Sequence, residues 1–128
     1  MTKYFLIEDD VDDQEIFCMA LEQVDKDAEC IISHDGAQAL EMLKSGLHGV
    51  PDYIFIDVNM PKMNGISCLE EIKKLKELSG ARIFMLSTAS DKRITDACIA
   101  LGAKEFIVKP PGLSALVSKL RSVVSLPD

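Results

Sequence analysis

Nowhere does the chain hold the run of about 20 apolar residues that a membrane-spanning helix needs, so no membrane association is expected. A basic surface is missing too. The chain has 14 Lys and Arg against 21 Asp and Glu, a formal charge of −7. Without a positive face to neutralise phosphates, direct DNA binding is not expected. Four cysteines (Cys18, Cys30, Cys68, Cys98) stand far apart, with no C-x-x-C pair and no companion histidine spacing. That argues against a zinc site and a disulfide framework. Their neighbours are apolar, which fits small core residues of a reduced, cytoplasmic protein. Linkers and low-complexity segments are absent, and no signal peptide is expected because Met1-Thr2-Lys3 leads straight into a short apolar run. At 128 residues the expectation is one domain, 1–128, with a sizeable core and no effector domain.

What is present is organised around Asp52-Tyr53-Ile54-Phe55-Ile56-Asp57-Val58-Asn59-Met60-Pro61-Lys62-Met63-Asn64-Gly65. The apolar run Tyr53 to Ile56 has the length of a buried strand and ends on a carboxylate. Pro61, Asn64 and Gly65 then supply the turn chemistry that precedes a helix. In open parallel sheets, ligand chemistry sits in the crevice at the C-terminal strand ends, so Asp57 is the leading candidate for a functional group.

The rest of the chain repeats this plan. Tyr4 to Ile7 is a strand ending on Glu8-Asp9-Asp10. Asp12 or Asp13 should cap a helix with Ile16, Met19, Ala20 and Val24 inward. A second strand, Cys30 to Ser33, leads through Asp35-Gly36 into a helix with Ala37, Leu40 and Leu43 inward, stopped by Gly46. The helix after Gly65 should bury Ile66, Leu69, Ile72 and Leu75 and run to near Gly80. Arg82 to Leu86 is a fourth strand, closing on Ser87-Thr88. A helix burying Ile94, Ala97, Cys98 and Leu101 follows, and Glu105 to Val108 is a fifth strand ending on Lys109-Pro110-Pro111. The last helix should bury Leu113, Leu116, Val117 and Leu120. Five βα units in so short a chain imply an α/β fold, a parallel sheet covered by helices on both faces. Strands apolar on both sides agree with that.

The strand ends therefore deliver Glu8, Asp9 and Asp10, then Asp57, then Ser87 and Thr88, then Lys109 to one side of the sheet. Each has a plain reading alone: Asp10, Asp12 and Asp13 as helix caps, Ser87-Thr88 as a turn, Lys109 as a solvated surface charge. Together they are harder to dismiss. Two carboxylates about 4 Å apart repel by about 4 kcal/mol at an effective dielectric of about 20, so a cluster calls for a cation. Carboxylate oxygens with open water positions suit Mg²⁺, and no nearby His or Cys favours a softer metal. A cation, Lys109 and a Ser87 hydroxyl are what an Asp carboxylate needs to accept a phosphoryl group as a mixed anhydride.

In these residues the chain resembles, over nearly its whole length, the receiver domain of two-component response regulators, chemotaxis receivers among them. The resemblance rests on Leu6-Ile7-Glu8-Asp9-Asp10, on Asp57-x-x-Met60-Pro61-x-Met63-x-Gly65, on Leu86-Ser87-Thr88-Ala89, and on Phe106-Ile107-Val108-Lys109-Pro110. It implies a flavodoxin-like (βα)5 three-layer sandwich with strand order 2-1-3-4-5. It implies that Asp57 is the phosphoacceptor and that Mg²⁺, or Mn²⁺ in its place, is held by Glu8, Asp9, Asp57 and the Asn59 backbone carbonyl. Asp10 falls at a third acidic position, and an alignment slipped by one would exchange these roles. Ser87 would hydrogen-bond the phosphoryl group, with Thr88 beside it as the other hydroxyl, and Lys109 would pair with it. Phe106 would be the switch aromatic, its plain alternative being a core residue that ends a strand. The Lys109–Pro110 peptide would be cis.

As implied partners, the resemblance brings a sensor histidine kinase or phosphotransfer protein, a downstream protein target reached through the face of the fourth helix, fifth strand and fifth helix, and homodimerisation on phosphorylation. Lys92, Arg93, Thr95, Asp96 and Ile99 would contribute to that face. Such a protein is a switch, not an enzyme with a turnover substrate. Two other readings remain: a receiver-like scaffold that works without phosphate, and a phosphatase of the haloacid-dehalogenase type. The latter typically has a second Asp two residues after its nucleophile, where this chain has Asn59.

Overall fold

Successive strand residues point to opposite faces of a sheet, and here both faces are apolar. The computed structural model describes residues 2–46, 48–60 and 63–124, so Pro61 and Lys62 of the motif and residues 125–128 lie outside the described residues. The strands are β1 (Lys3–Ile7), β2 (Glu29–Ser33), β3 (Tyr53–Asp57), β4 (Arg82–Ser87) and β5 (Glu105–Val108). They alternate with helices α1 (Val11–Val24), α2 (Gly36–Ser45), α3 (Gly65–Lys73), α4 (Lys92–Ala100) and α5 (Leu113–Val124). All four strand pairings are parallel, in the order β2-β1-β3-β4-β5. The flavodoxin-like order expected from the resemblance is the one observed.

Two apolar layers flank the sheet. Phe5, Ile7, Ile54, Ile56, Ile83 and Met85 pack under Ala39 and Leu40 of α2, Cys68, Leu69 and Ile72 of α3, and Cys98 of α4. On the other face Tyr4, Leu6, Phe55, Phe84, Leu86 and Ile107 meet Phe17, Ala20 and Leu21 of α1 and Leu116, Val117 and Leu120 of α5. Burial on both sides removes water from the strands and leaves their C-terminal ends as the open edge.

Several local expectations are corrected. The buried face of α1 is Gln14, Phe17, Ala20 and Leu21, whereas Ile16 and Met19 are 39% and 53% exposed. Both stripes satisfy helical spacing. The deciding contact is long-range: the Phe17 ring meets Phe55 edge-on at 5.0 Å. Ala39 takes the inward place expected of Ala37, and Ala97 is exposed while Cys98 is buried. α3 stops at Lys73, and a separate 3₁₀ turn (Lys76–Leu78) follows, because Leu75 adopts an extended conformation that lets Leu78 reach the core. The cap of α1 is Asp10, not Asp12 or Asp13, its Oδ1 accepting from the Asp13 N–H at 3.0 Å. No peptide bond is cis among the described residues, so Lys109–Pro110 is trans, the isomer X–Pro bonds favour by about 0.5–1 kcal/mol.

Candidate functional site

The β1 and β3 strands end side by side, with Ile7 opposite Ile56 in register. Each chain then leaves the sheet carrying a carboxylate. Asp57 is 4% exposed and Glu8 2%, while Asp9 faces solvent. Glu8, Asp9 and Asp57 each offer a carboxylate oxygen within 4.8 Å of the others. The loop after β1 is fixed on several sides. Glu8 N–H donates to the Ser33 carbonyl at 3.0 Å. Buried Gln14 donates through Nε2 to the Glu8 carbonyl at 2.7 Å, and its Nε2 lies 3.2 Å from His34 Nδ1. Asp10 N–H reaches Glu8 Oε2 at 3.2 Å.

Lys109, at the end of β5, crosses to these carboxylates. Its ammonium lies 2.7 Å from Glu8 Oε1, 2.7 Å from Asp13 Oδ2 and 3.8 Å from Asp57 Oδ2. One cation therefore serves three carboxyl groups. Burial pushes the Glu8 carboxyl up from 4.5 to about 7, against the pull of Lys109. Burial also raises Asp57, against the pull of Glu8, Lys109 and the Asn59 N–H, which favour its charged form. Burial alone would lower Lys109, yet its hydrogen bonds to Asp13 and Glu8 win and hold it above its ordinary value.

A buried carboxylate cluster short of positive charge is the donor set of a hard divalent cation. The oxygens of Glu8, Asp9 and Asp57 fit one. Asp10 does not join them, since its side chain caps α1. Asn59 is exposed and its N–H donates to Asp57 Oδ1 at 3.2 Å, which holds the Asp57 carboxylate in place. At the end of β4, Ser87 is 4% exposed and Thr88 is exposed. The Ser87 hydroxyl accepts from the Ala89 N–H at 3.3 Å, and the Ser87 carbonyl takes the Lys109 N–H at 2.7 Å. Phe106 is half-buried, paired with Met85 across the sheet and packed against the α2–α3–α4 layer. The sequence pointed to Asp13 only as a cap and gave no role to Gln14. Both prove to hold groups of the crevice, and the only signal was their place one turn into α1.

The raised Glu8 carboxyl makes stability depend on pH. Folding the metal-free chain takes up a proton there, so this contribution is full below about 4.5 and is lost as pH rises through about 7. It amounts to about 3 kcal/mol at most. Urea unfolding in EDTA between pH 5 and pH 8 should show wild type weakening as pH rises, and Glu8→Gln changing much less. Parallel pH profiles for the two proteins would refute it.

A parallel α/β domain that gathers three carboxylates and an ammonium at its C-terminal strand edge is a doubly wound protein with an acidic pocket that fits a divalent cation. The chain belongs to the response regulator receiver domain family, whose sequence model matches residues 5–121. It is 42% identical over 78 residues to the chemotaxis protein CheY of Bacillus subtilis, covering 61% of each chain. Among solved structures it is similar to the phosphorylated cyanobacterial phytochrome response regulator RcpA, at 28% identity and TM-score 0.87 over 95% of this chain and 90% of that one. It is also similar to the Mn²⁺-bound form of response regulator Rcp1, at 26% identity and TM-score 0.84 over 98% of this chain and 93% of that one. The chain spans less than two thirds of the length of the curated relatives it matches. No described helix is long and apolar enough to cross a membrane.

Proposed function

We propose that this domain is a phosphorylation-controlled switch that accepts a phosphoryl group on Asp57. The observation that carries the reading is the convergence of Glu8, Asp9, Asp57 and Lys109 at one strand edge, in a member of the receiver family. An Asp57 carboxylate oxygen attacks phosphorus, and the bond from phosphorus to the donor breaks. The donor nitrogen, a histidine imidazole of a kinase or phosphotransfer protein, leaves with the electron pair and the product is an acyl phosphate. A divalent cation, Mg²⁺ or Mn²⁺, held by Glu8, Asp9, Asp57 and the Asn59 carbonyl would offset charge on the transferring oxygens. Lys109, 3.8 Å from Asp57, would pair with a phosphoryl oxygen. The Asn59 N–H steadies the attacking carboxylate. Ser87, the buried hydroxyl at the β4 end, would donate to the phosphoryl group and shift toward it, and half-buried Phe106 would follow into the space vacated.

That movement would change the α4–β5–α5 face, the surface offered to a downstream protein or to a second phosphorylated copy. Lys92, Arg93, Asp96 and Ile99 are exposed on α4, and Val108 of β5 is 46% exposed beside them. Lys92 and Asp96 pair at 2.8 Å, leaving Ile99 and Val108 as the apolar part of the face.

Intact mass after incubation with acetyl phosphate tests the reading. Wild type should gain one phosphoryl group with Mg²⁺, lose it to hydroxylamine, and gain none in EDTA or as Asp57→Asn. A folded, metal-binding wild type that takes up no phosphoryl group from acetyl phosphate or from any phosphohistidine donor would overturn it in favour of a scaffold.

A further inference from the structure

The sulfurs of Cys18 and Cys30 lie 4.0 Å apart, although the residues come from different elements. Cys18 is in the second half of α1 and Cys30 is in β2, an outer strand of the sheet. Chain reversal between Val24 and Glu29 folds the helix back along the strand and brings the two together. Neither is fully buried, in contrast to Cys68 and Cys98. Cys30 packs against the α1–α5 apolar layer, while Cys18 stands on α1 between buried Phe17 and Met19, which is 53% exposed. Of the four thiols, these two are the ones with both a sulfur neighbour and a route to solvent.

We propose that Cys18 and Cys30 are a dithiol pair that closes to a disulfide under peroxide, a modification site separate from the acidic crevice. Cys18 reacts first. Its sulfur attacks one peroxide oxygen, the O–O bond breaks, and Cys18 becomes a sulfenic acid as water leaves. The Cys30 sulfur then attacks the Cys18 sulfur, the S–O bond breaks, and a second water carries off the Cys30 proton. Both sulfurs are oxidised and one peroxide is reduced to two waters. Burial and the adjacent Cys18 sulfur keep the Cys30 thiol protonated, so it is a weak nucleophile toward peroxide, and it gives up its proton only as it attacks the oxidised Cys18 sulfur held beside it. Side-chain rotation must shorten the separation to about 2.05 Å. The bond staples α1 to β2, and α1 is the helix whose first turns carry Asp13 and Gln14 to the crevice.

The folded, full-length chain treated with hydrogen peroxide, alkylated and digested without reductant provides the test. One crosslinked peptide pair joining Cys18 to Cys30 is expected, lighter by two hydrogens and reversed by dithiothreitol, with Cys68 and Cys98 alkylated only after denaturation. In Cys30→Ser the two-hydrogen loss should vanish and dimedone should label Cys18. If Cys18 and Cys30 of wild type end as separate sulfinic acids, or remain alkylatable after peroxide has oxidised a free cysteine peptide in the same tube, the proposal is wrong. Because wild type alone decides this, a variant that fails to fold does not rescue it.

Discussion

Gly65→Ala should cost about 3 kcal/mol of folding free energy and take the phosphoacceptor out of position. A β-carbon at residue 65 would sit 2.5 Å from the Asp57 carbonyl oxygen and 2.7 Å from the Val58 α-carbon. Both are backbone atoms, so no rotamer change relieves the clash. The loop is also tied there, because Gly65 N–H donates to the Val58 carbonyl at 2.9 Å and Asn64 caps α3 through the Ser67 N–H. Alanine must either break those bonds or push the end of β3, and with it Asp57, away from Glu8. Gly80→Ala is the control, since a β-carbon at residue 80 would meet nothing within 4 Å. Urea midpoints and acetyl phosphate loading should both fall for Gly65→Ala and hold for Gly80→Ala. A Gly65→Ala protein with an unchanged midpoint would mean that the loop has room to move.

Lys109→Met should be the other large effect, and its size should depend on pH. The ammonium is the shared partner of Glu8, Asp13 and Asp57. Removing one member of a buried ion pair costs about 3–5 kcal/mol, because the charge left behind has no partner. Glu8 limits that cost by keeping its proton, which it already holds up to about 7 with Lys109 present. At pH 8 the loss in EDTA should be about 3 kcal/mol, and at pH 5 clearly smaller. Saturating Mg²⁺ should restore most of it by returning positive charge to the same oxygens. Chemical unfolding at the two pH values, with and without Mg²⁺, reads all of this. An equal loss at both, untouched by Mg²⁺, would show that Lys109 matters for packing and not for charge.

These two residues mark how far a reading of the sequence reaches. Gly65 is visible in the sequence as a turn glycine after Pro61 and Asn64. The reason only glycine serves is that α3 begins against the backbone of β3, a contact between segments that no local pattern contains. Lys109 is visible as the polar end of an apolar strand. Its grip on Asp13 is not, because Asp13 looks like one more residue of an acidic helix start. The same blindness explains α1, where Ile16-Met19 and Phe17-Leu21 are equally good stripes until Phe55 chooses between them.

By itself the sequence determined the five βα units, the parallel sheet they must form and the identity of the groups at its C-terminal edge. It could do so because strand runs, helical stripes and turn residues are local, and because parallel strands all end on the same side. The tertiary structure decided which carboxylates share a site, which acid caps α1, and that Cys18 meets Cys30. Those outcomes depend on distances between elements far apart in the chain, and at a buried strand edge a difference of an ångström or two in such distances sets the balance between desolvation and charge pairing.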